Sequence, residues 1–168
     1  MAIDTNLNKS QSSNYELVLT KLPTETTIEA TKELTLNIFG TILPSIDIAQ
    51  NPVYWLGSRT VQEGEMTYSD WTVNFAVDSH FDNWQTLYNW MMSIRNNRDK
   101  HGEIPRKYAI TASLRILDNF RKVVLLVNFE NVWISNLGEV SLTHREYDTN
   151  LEGSLTLSYD TFRIVDKQ

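Results

Sequence analysis

Apolar and polar residues alternate with a period of two through most of the chain. Tyr15, Leu17 and Leu19 take turns with Glu16, Val18 and Thr20, the pattern of a strand whose two faces meet different surroundings. Pro23 and a run of Thr and Glu over 23–33 mark a connection. A second strand is expected at Leu34, Leu36 and Ile38, ending before Pro44. From Ser69 to Val77 the alternation is clean, with Trp71, Val73, Phe75 and Val77 on one face. The period then changes. Phe81, Trp84, Leu87, Tyr88, Met91 and Ile94 recur at steps of three and four, which predicts an amphipathic helix over Phe81–Arg95. Ser79, with Asp82 three residues on, resembles a capping box at its start. Trp71, Trp84, Leu87, Met91 and Ile94 are the expected core of the helix packing against the sheet.

Beyond the helix, polar residues 96–102 lead to Pro105. Two long strands follow, Tyr108–Leu117 and Lys122–Asn131, joined by a turn at Asp118, Asn119 and Phe120. Trp133–Gly138 reads as a turn, with Asn136 and Gly138 as breakers. Glu139–Thr143 offers a brief pairing. From Asn150 a last strand runs, with Leu155, Leu157 and Tyr159 alternating with Ser154, Thr156 and Ser158. The sum is a mainly β (α+β) fold: an antiparallel β-sandwich with one flanking helix. Residues 1–13 are expected to be a polar, flexible arm and 14–168 a single domain. Residues 45–66 lack clean periodicity and read as a long loop. It carries Val53, Tyr54, Trp55 and Leu56 between Pro52 and Gly57. Such a cluster either folds back onto the core or packs on another subunit.

Composition narrows the function. The 168 residues are 41% hydrophobic and 11% aromatic, enough for a real core. With no cysteine, disulfides, cysteine-ligated zinc and thiol nucleophiles are excluded. The N-terminus has neither the basic start nor the apolar run of a signal peptide. No apolar stretch approaches the ~18 residues of a membrane helix, so no membrane partner is expected. The net charge of −6 argues against specific nucleic-acid binding, which draws much of its affinity from neutralised phosphates.

Candidate chemistry is sparse. His80 lies between Asp78 and Asp82, a spacing compatible with metal ligation or acid–base work. The site is a strand-to-helix junction, however, where carboxylates favour the helix N-terminus electrostatically. His101 and His144 sit in polar, charged segments and read as solvated. Asp148, Asn150, Glu152 and Gly153 resemble the opening of a calcium loop. The twelfth position is Tyr159 where a bidentate carboxylate is required. No nucleophile elbow, phosphate loop or dinucleotide fingerprint occurs. The chain is therefore expected not to be an enzyme and to use no cofactor or metal. Five tryptophans leave a carbohydrate-binding module as the rival class, although Trp71 and Trp84 fall on stripes expected to be buried.

The order of signals carries more than any one motif. "DWTVNFAVD" leads into "HFDNWQTLYNWMMSI", then a long hairpin, then "VWISNLGEVSL", then "EGSLTLSYDTF". Over roughly residues 14–162 this resembles the tail tube proteins of contractile-tailed, T4-type bacteriophages. The matching pieces are Asp70–Val73, then Trp133 with Asn136–Glu139, then Leu155–Tyr159. The resemblance implies a structural virion protein of the tail, assembled in the host cytoplasm. Its subunits form hexameric rings whose strands make a barrel lining the lumen. The rings stack into the tube that conducts DNA during ejection. Implied partners are further copies of itself, the tail sheath and baseplate proteins, and transiently passing double-stranded DNA.

The polar face of 108–117, with Ala109, Thr111, Ser113 and Arg115, is the lumen candidate. In the family the loop corresponding to 45–66 reaches the adjacent ring, which makes Tyr54, Trp55 and Leu56 the expected inter-ring contact. The 1–13 arm and the 23–33 segment are longer than the family pattern. Those departures point to an alternative: a specialised end ring, either a baseplate-proximal initiator or a terminator, or the tube protein of a related contractile injection system.

Overall fold

In the computed structural model, residues 11–20, 22, 28–98, 108–143 and 150–165 are described. The elements run β1 (Tyr15–Leu19), α1 (Ile28–Leu36), β2 (Ile38–Thr41), β3 (Ile46–Trp55), β4 (Ser58–Tyr68), β5 (Trp71–Ala76), α2 (Asp82–Arg98), β6 (Ile110–Leu117), β7 (Val123–Leu137), β8 (Glu152–Ser158) and β9 (Thr161–Val165). All strand pairing is antiparallel, so the mainly β class follows the alternation in the sequence. One sheet has the order β1-β6-β7-β9 and the other β7-β8-β5-β2. The two share β7.

β7 can serve both sheets because its alternation slips by one residue midway. Val127 and Phe129 point into the core, and so do Val132 and Ile134. Between them Asn131 has φ 56°. The register jumps there, from Ala112 opposite Phe129 to Ile110 opposite Val132. An extra residue inserted this way bends the strand and keeps its apolar side facing inward after the bend. Of the Trp133–Gly138 segment, read from sequence as a turn, Trp133–Leu137 is the second half of this strand. Asn136 misled because strand pairing with β8 overrides local propensity, while Gly138 does follow the strand's end.

The core lies between the sheets. Trp71 stacks on Phe129 with ring centroids 4.0 Å apart and planes 11° from parallel. Val73, Phe75, Leu155 and Leu157 face Leu17, Leu114 and Val127 across the same space, all buried. Gly153 is a packing residue rather than a calcium-loop glycine. It pairs with Phe75, and a Cβ there would come within 2.7 Å of the Phe75 ring. Asp148 lies outside the described residues.

α1 corrects the expectation of a strand at Leu34, Leu36 and Ile38. Thr31 and Leu34 are the buried positions and Leu36 is exposed, a spacing of three in a run with good helix formers. The chain turns at Asn37 and becomes β2 only at Ile38. Among the described residues, two helices rather than the expected one therefore flank the sheets.

On α2 the packed face is turned by about one residue from the expected stripe. Leu87 and Trp90 are fully buried, and Trp84, Met91 and Ile94 pack half-buried against the same core. Phe81 precedes the helix at φ 61°. The Trp90 indole N–H donates to the Tyr108 carbonyl at 2.7 Å, which holds the start of the β6 segment against α2. The cap is Asp78, not Ser79. One carboxylate oxygen accepts the amides of His80 and Asp82, and the other accepts that of Asn83.

Candidate functional site

The segment expected to be a loop, 45–66, is instead the β3–β4 hairpin, and it stands away from the body of the protein. Every residue of β3 is exposed, and of β4 only Gly64 and Tyr68 are partly covered. Its turn consists of Leu56 (φ 47°) and Gly57 (φ 80°), closed by Trp55 opposite Ser58. Two residues at positive φ make the tight turn that matches the twist of a hairpin. Tyr54, Trp55 and Leu56, the expected inter-ring contact, occupy this tip. They are 71%, 72% and 94% exposed, so the alternative of folding back onto the core does not hold.

Below the tip the hairpin is two-faced. Ile46, Ile48, Pro52 and Tyr54 lie on one side of β3 and pair with Tyr68, Met66, Val61 and Arg59. Gln50 opposite Glu63 interrupts that side, and the opposite side carries Asp47, Asn51, Gln62 and Thr67 together with Val53 opposite Thr60. A register shift between Ile48 and Gln50 places an extra β4 residue near Gly64, whose missing Cβ admits the Ala49 carbonyl (3.0 Å). That bulge keeps Val61 and Met66 on the same apolar side although their positions differ by an odd step, which in an unbulged strand would set them on opposite sides. It also explains why the sequence showed no clean period here. Ile46, Ile48, Val61 and Met66 were missed as functional candidates; the 46-48 alternation was the available signal.

The foot of the hairpin rests on an aromatic group. Tyr68 meets Phe162 at 5.4 Å and Tyr159 at 6.1 Å, and both pack on Phe129. The Tyr159 hydroxyl donates to the Ser69 carbonyl at 2.9 Å. Burial first, then the Asp70 carboxylate and Tyr68, push this phenol up to about 12.

A second surface is the outer face of β1-β6-β7-β9. Thr111, Ser113 and Arg115 of the lumen candidates lie on it. Ala109 precedes β6 and is half-buried, so it is outside the strand ladder. Ser113 donates to the Asn128 side-chain carbonyl at 2.7 Å. Arg115 pairs with Glu16 at 3.1 Å, and Arg163 with Glu130 at 3.6 Å. On this face each guanidinium has a carboxylate on the adjacent strand, so the charges balance locally.

The third feature is a pair of open edges on that sheet. Among the described residues, β1 is bonded only to β6 and β9 only to β7. Beside β1 runs a groove of about 390 Å³, lined by Ser13, Tyr15, Glu16, Leu17, Thr35, Leu36, Ile38 and Phe39. Exposed edges of this kind invite pairing with another chain. His80 belongs to none of these surfaces. Its ring meets the Ser79 hydroxyl at 3.0 Å beside the Asp78 cap. His101 and His144 lie outside the described residues. Among the described residues, no helix is long and apolar enough to span a membrane.

No protein-family model matches the chain. It is 26% identical over 170 residues to the tail tube terminator protein of Enterobacteria phage T4, covering 97% of this chain and 93% of that one. To the tail tube protein gp19 of Enterobacteria phage T6 it is 26% identical over 123 residues, covering 72% and 74%. Its fold is similar to that of a chain in the cryo-EM structure of the anti-feeding prophage baseplate. The TM-score is 0.62 at 10% identity, over 94% of this chain and 96% of that one.

Proposed function

From the homology of this chain to the tail tube and tube terminator proteins of contractile-tailed phages, we propose that it is the terminator: a ring that caps the tail tube in the virion. The homologues are structural tail components, not enzymes. The observation that carries the choice is the extent of similarity. The match to the terminator runs nearly end to end in both chains, whereas the match to the tube subunit leaves about a quarter of each unmatched. The main tube subunit, which the motifs alone favoured, becomes the second reading.

The surfaces fit a ring. Joining β9 of one copy to β1 of the next covers both open edges and continues the sheet around an axis. With ~4.8 Å between strands, four strands from each of six copies give a wall about 115 Å around and a backbone diameter of about 37 Å before tilt widens it. That is a bore on the scale of duplex DNA. The outer face carrying Thr111, Ser113 and Arg115 lines it, and the paired charges leave few free cations to hold passing phosphates. The β3–β4 hairpin then projects towards the adjoining ring, with Tyr54, Trp55 and Leu56 at the contact.

Negative-stain imaging of the purified protein at rising concentration, alone and with preformed tail tubes, tests this. A terminator forms rings that sit on one end of a tube and stop its growth. Long tubes growing from this protein alone establish the main-subunit reading. A monomer at all concentrations that binds sugar saturably returns the chain to the carbohydrate-module class.

A further inference from the structure

We propose that the ring closes in one specific strand register, with Arg163 on β9 of one copy opposite Glu16 on β1 of the next, and with Ile164 seated over that neighbour's Tyr15 in the groove beside β1. This rests on the ring reading above and adds the contact that makes the ring.

The direction of the strands permits the join. β1 and β9 are separated by three antiparallel pairings, so they run opposite to each other. A neighbour's β1 therefore adds to β9 antiparallel, and the alternation continues around the ring. The two edges are also matched in length at five residues each.

Side-chain faces then restrict the register. Directly opposed residues in an antiparallel pair share a face, and a slip of one residue sends every side chain to the wrong side. Glu16, Val18, Thr161, Arg163 and Val165 point outward. Tyr15, Leu17, Phe162 and Ile164 point the other way, opposite Ile116, Leu114, Phe129 and Val127. Full overlap of the two strands would put Arg163 opposite Leu17 and is excluded. Two registers with four pairs each remain: Arg163 opposite Glu16, or Arg163 opposite Val18.

Three observations choose the first. The Arg163 and Glu16 side chains are 72% and 52% exposed, so each has room for a further partner. The first register brings them together, while the second sets Arg163 against Val18. Stagger gives the same answer. Within one copy a row runs from Val165 through Leu126 and Arg115 to Glu16. The second register returns Val165 to Glu16 with no offset, whereas the first offsets each copy by two residues, and a closed barrel needs such an offset for its strands to tilt.

The groove supplies the third. Ile164 lies on the inward side yet is 55% exposed, and Leu36 and Phe39 of the groove are 73% and 49% exposed. An uncovered apolar side chain on one edge and an uncovered apolar groove on the other complete each other when Ile164 stands opposite Tyr15.

The chain has no cysteine, so engineered pairs report on the join cleanly and Arg163, Glu16, Ile164 and Tyr15 stay intact. Thr161→Cys with Val18→Cys are opposed in the proposed register, within disulfide reach; Thr161→Cys with Thr20→Cys are opposed in the other. After oxidation of rings verified by negative stain, the first pair is expected to give a denaturing-gel ladder up to the full ring and the second pair none. A ladder from the Thr20 pair overturns the register and leaves the ring reading standing. Rings that yield neither ladder show that β9 and β1 do not meet, which overturns the proposal alone. A wild-type protein that never forms rings overturns both.

Discussion

Replacing Trp55 with alanine separates assembly from folding. The Trp55 side chain is 72% exposed at the hairpin tip, and a tryptophan offers up to ~250 Å². Contact with an adjoining ring therefore has up to about 180 Å² to cover. At ~25 cal/mol per Å² this is worth at most about 4.5 kcal/mol for each Trp55. Truncation of such an aromatic anchor commonly costs about 2 kcal/mol or more, and the loss recurs at every copy around the ring. The same residue touches none of the core, so folding stability is expected to change by less than about 0.5 kcal/mol. In a domain of this size that moves the melting temperature by roughly 2 °C or less. The assay pairs a thermal melt with co-sedimentation on preformed tubes. The expected result is an unchanged melt and a loss of tube-end binding of tenfold or more. Undiminished binding, or a melt lowered by several degrees, refutes the reasoning, the second by showing that the tip belongs to the core.

Trp90→Ala is expected to cost about 3–5 kcal/mol, because the ring is fully buried and the Tyr108 carbonyl loses its donor. Trp84→Ala should cost clearly less, about 1–2 kcal/mol, since that side chain is half-buried and its indole N–H has no acceptor among the described residues; equal losses in chemical denaturation would show that α2 packs differently. For Tyr159, the fold holds the phenol proton more tightly than the unfolded chain, about 12 against 10.0. Its contribution is thus complete below pH 10 and lost as pH rises towards 12. Tyr159→Phe should flatten that part of a stability–pH curve, and an unaltered alkaline limb would contradict the assignment. Glu130→Lys removes the Arg163 partner within one copy and adds a cation to the outer face while leaving Glu16 at the joint intact, so variant rings verified by negative stain should retain duplex DNA in a salt-sensitive way where wild-type rings do not. Equal retention by both would show that this face does not line the bore.

Much of the framework was legible in the sequence because strand period is a local signal. The alternation at Trp71, Val73 and Phe75 located β5, and the long β6–β7 hairpin was read from its two apolar runs and the Asp118 turn, where that carboxylate accepts the amides of Phe120 and Lys122. The failures share a cause: each involved a break in phase. The bulge at Gly64 hid the β3–β4 hairpin, the bulge at Asn131 hid the second half of β7, and Leu34, Leu36 and Ile38 alternate only because a helix ends where a strand begins. β9 was merged with β8, because the Tyr159–Asp160 turn carries neither glycine nor proline. On α2 an aromatic residue stands on each side of the packed face, so Trp84 and Trp90 fit the helical period almost equally well. Only the Tyr108 carbonyl, distant in sequence, decides between them. The tip residues Tyr54, Trp55 and Leu56 were visible as an apolar cluster, but the apolar face beneath them was not, since it exists only once the two strands pair.

The surfaces left uncovered also divide by direction. Among the described residues, the open edges of β1 and β9 lie at opposite sides of one sheet, and in the proposed ring copies of the same chain cover both. The apolar face of the β3–β4 hairpin belongs to a separate two-stranded sheet and needs a partner of another kind. The two systems meet at Tyr68, which ends β4 and packs against Phe162 of β9. In the proposed ring, a change in how β9 sits at the joint would therefore be felt at the root of the hairpin through direct aromatic contact. Phe162 in turn packs on Phe129, which stacks on Trp71 in the centre of the sandwich. The foot of the hairpin thus rests on the centre of the core and on β9 together. In the proposed terminator ring, this ties the reach of the hairpin along the axis to closure of the ring.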